Sequence, residues 1–385
     1  MTPTRWERVQ DLFHRVAGLS ESEQRTFVEC ECGGDGELAS AVLAMLEQDR
    51  RDAALLTHDL PEVAGALLNQ SDVPQSFGPY RIQRVLGEGG MGVVYLAERE
   101  DVGLLVAVKL LRDALLSPAR RARFTSESRT LARLDHPLIA RIYDAGALAD
   151  GTPWFAMEYV DGVPITEYCR ARNASISERL RIFRSLCEAV QYAHAHAFIH
   201  RDLKPSNVLV KSDGTVKLLD FGIAKQLENR DEPADQTLTG LRPMTLAYAS
   251  PEQIRGEPLG TQSDVYSLGV MLYELLGGQL PFDVSKMTQS EAERVVLEQD
   301  AKPPSTVAPR NSSVSKRAWA DLDVLCLTAM HKDSQRRYRS VEALMRDVDH
   351  YLRGEPLDAR ADTLGYRLGK FARRNWRAIS ITAAA

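Results

Sequence analysis

The chain has 385 residues, 44% hydrophobic and 26% charged, with a formal net charge of −5. This is a globular composition, long enough for more than one domain with a sizeable core. Charge is uneven: residues 1–76 carry six Arg, no Lys and fourteen acidic groups, a sum of −8, whereas residues 353–385 carry seven basic and three acidic groups, a sum of +4. The acidic leading segment lacks the clustered Lys and Arg that bind phosphate backbones, so no nucleic-acid partner is expected. MTPTRWERVQ has no apolar run behind its charges and is neither a signal nor a transit peptide. The five cysteines, Cys30, Cys32, Cys169, Cys187 and Cys326, are odd in number and scattered, which argues against a disulfide framework and for a reducing compartment. Cys30 and Cys32 have no second Cys or His pair at zinc spacing, so no metal site is expected there.

Residues 4–70 read as helical. Trp6, Val9, Leu12, Phe13 and Val16 recur at three- and four-residue steps, Ser20 and Glu23 make a capping box, and Asp35 starts a further helix ahead of Leu38, Val42, Leu43 and Leu46. The expectation is a small all-α module over residues 1–70 and a linker over 71–79, the stretch 69–79 gathering Asn, Ser, Pro and Gly. From Tyr80 the texture changes to short β-like runs, YRIQRVL, VVYLAE and LLVAVKLL, which predict an antiparallel sheet. Ser117-Pro118 opens a helix with an apolar stripe of Phe124, Leu131 and Leu134, and Glu127 falls on the same stripe. After about residue 165 the pattern is mainly helical, as in Leu180, Phe183, Leu186 and Val190 and in the run from Val265 to Leu276. A smaller sheet-rich lobe followed by a larger helical one implies an α+β class.

Gly87-Glu88-Gly89-Gly90-Met91-Gly92-Val93-Val94 fits G-x-G-x-x-G-x-V. Such glycines let a backbone approach phosphate oxygens, and the same spacing also fits an ordinary hairpin turn. Because VVYLAE follows and not a helix, the loop joins two strands and is not a dinucleotide-binding turn. Lys109 lies in an apolar strand, either as a solvated edge residue or as a partner of the inward-facing Glu127 that aims its ammonium at phosphate. His200-Arg-Asp-Leu-Lys-Pro-Ser-Asn207 supplies Asp202 and Asn207 five residues apart, and Asp220-Phe-Gly222 follows thirteen residues later. Asn207 and Asp220 are hard oxygen donors suited to Mg²⁺. Asp202 is left as the group that could accept a hydroxyl proton.

The ordered set of Gly87, Gly89, Gly92, Lys109, Glu127, His200-Arg-Asp202, Asn207, Asp220-Phe-Gly222 and Ser250-Pro-Glu252 resembles the eukaryotic-type (Hanks-type) protein kinase superfamily, and the bacterial serine/threonine kinases within it. The resemblance covers residues 80–352 and implies a bilobal kinase fold, a small β-rich lobe and a larger α-helical lobe, acting with ATP and Mg²⁺ or Mn²⁺ on Ser and Thr of protein substrates. It further implies that Gly87 to Gly92 cover the ATP phosphates within an ATP-binding run from Leu86 to Val94, and that Lys109, anchored by Glu127, holds the α and β phosphates. Val94, Ala107 and Leu209 would line the adenine pocket, with Met157 at its back and Glu158 and Val160 offering backbone groups. Asp202 would take the substrate proton, Lys204 contact the transferred phosphate, Asn207 and Asp220 bind the metal, and Thr245 brace Asp202 and Lys204. Glu252 would pair with Arg337, and Asp264 would hold the catalytic loop from below.

The resemblance also implies a switch. Arg201 would receive phosphate from Thr237 or Thr239, autophosphorylated in the activation loop, with self-association allowing the transfer to run between copies. Met244 and Ser250 depart from the Gly and Ala common in the family and leave the shape of the peptide-docking loop open. A pseudokinase scaffold is the alternative, and it would normally lack Lys109, Asp202 or Asp220. At the C-terminal end, Lys370, Arg373, Arg374 and Arg377 precede eight uncharged residues. The expectation there is a basic juxtamembrane segment over 353–377 and, from Ala378 to Ala385, the start of a truncated membrane span that would keep the kinase cytoplasmic; a plain basic amphipathic helix end is the alternative.

Overall fold

The computed structural model describes residues 27–28, 31–32, 35, 38–39, 42, 76–89, 92–111, 130–148, 151–221, 246–308 and 315–360. The chain divides into two compact units, Met1–Pro74 and Gln75–Ala385. In the first, residues 27–28, 31–32, 38–39 and 42 are helical, and Val28, Leu38 and Val42 are buried. Asp35 caps the stretch that holds Leu38: its Oδ1 accepts a bond of 3.0 Å from the Leu38 N–H, which satisfies one orphan donor of the helix start.

The second unit opens with six antiparallel strands: β1 (Ser76–Phe77), β2 (Tyr80–Gly89), β3 (Gly92–Arg99), β4 (Leu104–Leu110), β5 (Ile142–Ala147) and β6 (Pro153–Glu158), in the order β1-β2-β3-β4-β6-β5. The β-branched and aromatic runs read from the sequence form β2, β3 and β4. One face of the sheet is closed by aromatic packing, Trp154 lying 6.0 Å from both Phe77 and Tyr80 between ring centroids. A second sheet of β7 (Gly162–Pro164), β8 (Val208–Lys211) and β9 (Val216–Leu218) lies at the start of the helical half. It ties back to the first lobe, because Leu218 donates to the Leu138 carbonyl and accepts from the Ala140 N–H at 2.7 and 2.8 Å.

The helices are α1 (Ile165–Ala171), α2 (Ile176–Ala195), α3 (Pro251–Ile254), α4 (Thr261–Gly277), α5 (Gln289–Glu298), α6 (Pro304–Val307), α7 (Lys316–Ala329) and α8 (Val341–Arg353). Ser175 and Glu178 form a reciprocal capping box at the start of α2, and Leu180, Phe183, Leu186 and Val190 are its buried stripe. Helix α4 is apolar nearly all round, with 14 of its 17 residues buried, the pattern of a helix through the middle of a core. At Gly269 a Cβ would sit 2.8 Å from Ala329 and Met330, so glycine is what lets α4 approach α7 closely. The fold is the expected α+β, bilobal arrangement. The helix expected from Ser117-Pro118 lies outside the described residues, although Leu131 and Leu134 at its end are buried at 2% and 3% exposure.

Candidate active site

The cleft is built first by strand register. Val94 pairs with Lys109, Lys109 with Phe155 and Ala107 with Met157, so alternation puts these side chains on one face of the sheet. Leu86 and Val94, partly buried, pack with Ala107 and Met157 into the main core. Behind Met157 a cavity of about 10 Å³ is bounded by Leu131, Leu134, Phe155, Asp220 and Phe221, room for at most about one water. Glu158 spends its N–H on the Arg141 carbonyl at 2.8 Å, so its backbone contribution to an adenine would come from its carbonyl. Its carboxylate meets buried Lys217 of β9 at 2.8 Å. Val160 follows at 7% exposure, and Leu209 lies on β8 across from Pro164.

The glycine-bearing segment is the turn of the β2–β3 hairpin, with Gly89 paired to Gly92; Gly90 and Met91 lie outside the described residues. Two of its glycines have different reasons. At Gly92, with φ of +136°, a Cβ would stand 1.9 Å from the Leu110 carbonyl oxygen, whereas at Gly87 it would meet nothing within 4 Å. The fold itself demands glycine at 92, whereas no contact within the described residues demands it at 87.

The centre lies between the lobes. The Lys109 ammonium pairs with the Asp220 carboxylate, both largely buried. The expected Lys109–Glu127 pair lies outside the described residues, as do Gly222, Thr237, Thr239, Met244 and Thr245. Asp202 is held by the Lys204 ammonium at 3.0 Å and by the Asn207 amide, whose Nδ2 donates to its carboxylate at 3.0 Å and to its backbone carbonyl at 2.8 Å. Because both amide protons of Asn207 are spent on Asp202, its Oδ1 is left as an acceptor. The Leu219 N–H donates to the Asn207 carbonyl at 2.8 Å, which brings Asp220 beside this loop. An amide oxygen and a carboxylate already facing a cation form a hard donor set that fits Mg²⁺ or Mn²⁺.

The loop that carries Asp202 is held from below. Asp264, at 1% exposure, accepts from the N–H groups of His200 and Arg201 at 2.8 and 2.9 Å and from His194 Nε2 at 2.7 Å. These bonds keep Arg201 in a left-handed conformation, φ of +65°, and Asp220 adopts one too at +52°. Such backbones cost about 1–3 kcal/mol each and persist only where surrounding bonds over-determine them. His200 Nε2 donates to the Leu219 carbonyl at 2.8 Å and its Nδ1 accepts from the Asp202 N–H at 3.3 Å. Glu252 and Arg337 pair through two bonds of 2.7 and 2.8 Å. Burial pushes the Glu252 carboxyl up, yet the bonds from Arg337 and Ser263 outweigh it and leave it below the usual carboxylate range. Removing one partner of such a buried pair costs about 3–5 kcal/mol.

Two contributors escaped the sequence reading. His194 has no local signal, being six residues before the motif it supports. Gln253 has one: Ser250-Pro-Glu-Gln253 is a capping-box spacing, and Ser250 is indeed the N-cap of α3, with its side chain and that of Gln253 bonded reciprocally to each other's N–H groups. The departure at Ser250 thus has a local physical reason.

A glycine hairpin over a cleft, a strand lysine facing a carboxylate and a braced Asp–Lys–Asn loop together define a protein-kinase-type centre between two lobes. Residues 80–348 match the protein kinase domain family, and the chain belongs to that family. It is 35% identical over 285 residues to serine/threonine-protein kinase PknB of Mycobacterium tuberculosis, covering 73% of this chain and 44% of that protein. It is 38% identical over 273 residues to probable serine/threonine-protein kinase PknB of Lactococcus lactis, covering 70% and 41%. The chain therefore spans less than half the length of these curated relatives. Among solved structures, the kinase domain of Mycobacterium tuberculosis PknI superposes with a TM-score of 0.53 at 28% identity, covering 72% of this chain and 97% of that one.

Proposed function

We propose that this protein is a serine/threonine protein kinase that transfers the γ-phosphate of ATP to protein hydroxyls. The arrangement of Asp202 with Lys204 and Asn207, opposite the Lys109–Asp220 pair, carries this reading. A pseudokinase scaffold is disfavoured because Lys109, Asp202 and Asp220 are all present and converge. Asp202 accepts the proton of the substrate hydroxyl as that oxygen forms its bond to the γ-phosphorus and the bond from phosphorus to the ADP oxygen breaks. Lys204 donates to the transferred phosphoryl oxygens, and Lys109 to the α and β phosphates. Mg²⁺ or Mn²⁺, when bound by Asn207 and Asp220, neutralises charge on the phosphate oxygens. Leu86, Val94, Ala107, Met157 and Leu209 enclose the adenine, and the Val160 backbone completes its polar edge. Thr245 braces the loop, and Arg201 receives phosphate on Thr237 or Thr239.

The reading puts the kinase domain in the cytoplasm, supported by the need for ATP and by free thiols at Cys169, Cys187 and Cys326. No helix among the described residues is long and apolar enough to cross a membrane, and residues 361–385 lie outside them; anchoring from Ala378 onward stays a proposal that fractionation of the full gene product tests. The central experiment measures transfer of labelled γ-phosphate to the chain itself and to a basic protein. Asp202→Asn and Lys109→Met are each expected to lower it at least about 10²-fold, the loss typical of one main electrostatic or positioning group. Activity surviving both substitutions would overturn the assignment.

A further inference from the structure

Helix α3 does more than follow the activation segment. Its N-cap box uses the Gln253 side chain as an acceptor, Oε1 taking the Ser250 N–H at 3.0 Å. The other end of the same amide is not idle: Nε2 donates to the backbone carbonyl of Arg201 at 2.7 Å. One side chain therefore bridges the end of the activation segment to the residue immediately before Asp202, across 52 positions of sequence.

The carbonyl it holds belongs to the peptide that aims Asp202. Arg201 has φ of +65°, a conformation that a non-glycine residue keeps only under constraint. Its N–H is fixed by Asp264 at 2.9 Å, and the next N–H, that of Asp202, is fixed by His200 Nδ1 at 3.3 Å. Gln253 adds a restraint on the carbonyl between them, and it comes from a different element than those two. We propose that Gln253 is a positioning residue for phosphoryl transfer: by gripping the Arg201 carbonyl it sets the direction of the Asp202 carboxylate and couples that direction to the docking of α3. The inference rests on the kinase reading above, because it assigns a purpose to Asp202.

The chemistry of the amide offers a clean separation. Glutamate at the third helical position is as good a capping-box partner as glutamine, so Gln253→Glu keeps the cap. An ionised glutamate has no proton to donate to a carbonyl, so the same substitution replaces the bond to Arg201 with one oxygen facing another.

The experiment compares the full 385-residue wild type, Gln253→Glu, the near-isosteric Gln253→Met and Asp202→Asn, with myelin basic protein as substrate. Single-turnover transfer rate and ATP dissociation constant are read at about pH 8, with unfolding midpoints measured alongside. Expected for Gln253→Glu are a modestly lower midpoint, an unchanged ATP dissociation constant and a rate lower by roughly tenfold, the worth of one such hydrogen bond. Gln253→Met shows a comparable loss of rate with the same ATP dissociation constant, and it tests the idea even if the glutamate variant does not fold. An active wild type matched in rate by both variants overturns the inference alone. A wild type as inert as Asp202→Asn overturns the kinase reading and takes this inference with it.

Discussion

His200 shows how much a single side chain has to settle at this centre. It is buried at 1% exposure and bonded through both ring nitrogens, one as donor to the Leu219 carbonyl and one as acceptor from the Asp202 N–H. Only the neutral ring can make both bonds. Burial pushes its pKa down from the ordinary value of 6.5, against the opposing pull of Asp264. The unfolded chain therefore takes up a proton on this ring below about pH 6.5 while the folded chain does not, so the contribution to stability is whole above that pH and erodes below it, by up to about 1.4 kcal/mol per pH unit until the folded pKa is reached. Chemical denaturation between pH 8 and 5.5 should show His200→Phe with a shallower acid decline than wild type; an identical slope would mean that the ring is not held neutral. Gln253 makes the complementary point, because an ordinary helix-capping residue becomes informative only through its second bond.

At the scale of elements, the β2–β3 hairpin separates structural from functional glycine. In β3, Gly92 is compelled by the Leu110 backbone, whereas Gly87 in β2 faces open space. Gly87→Ala should leave the unfolding midpoint near wild type and weaken ATP binding, since the methyl intrudes only where the loop must approach phosphate. Gly92→Ala should lower the midpoint sharply. Calorimetry with an ATP titration checks both, and equal stability losses in the two variants would contradict the distinction. The strands and long helices were legible because their signals are local: β-branched runs for β2 to β4, the 3.6-residue stripe of α2, the uninterrupted apolar run of α4. What the local signals could not show is partnership. His194 carries no signal of its own until the fold sets it against Asp264, and nothing in the chain pairs Lys217 with Glu158 until β9 brings it there.

At the scale of the whole molecule, two lobes meet at a centre to which each contributes one half. Lys109 comes from the sheet, Asp202 and Asn207 from the helical lobe, and Asp220 from the chain just after β9, so their chemistry exists only when the lobes are correctly opposed. The proposed switch belongs to this scale as well. If two copies meet so that one phosphorylates Thr237 or Thr239 of the other, the initial rate of autophosphorylation per molecule should rise with protein concentration, and mass spectrometry of the active preparation should find phosphate at one of those threonines. A concentration-independent rate, or an unmodified activation segment in active protein, would remove that mode of activation.

By itself the sequence determined the class of fold, the family and the order of the chemical groups, because each depends on local periodicity or on residue types at short, countable spacings. The tertiary structure alone decided contacts such as Lys109 against Asp220, Asn207 turned so that its oxygen is spare, His194 against Asp264, and Gln253 gripping the carbonyl before Asp202. The physical reason is that a hydrogen bond or ion pair between residues 52 or 111 positions apart leaves no periodic trace in the chain; it arises only when packing of the core brings distant backbones to bonding distance.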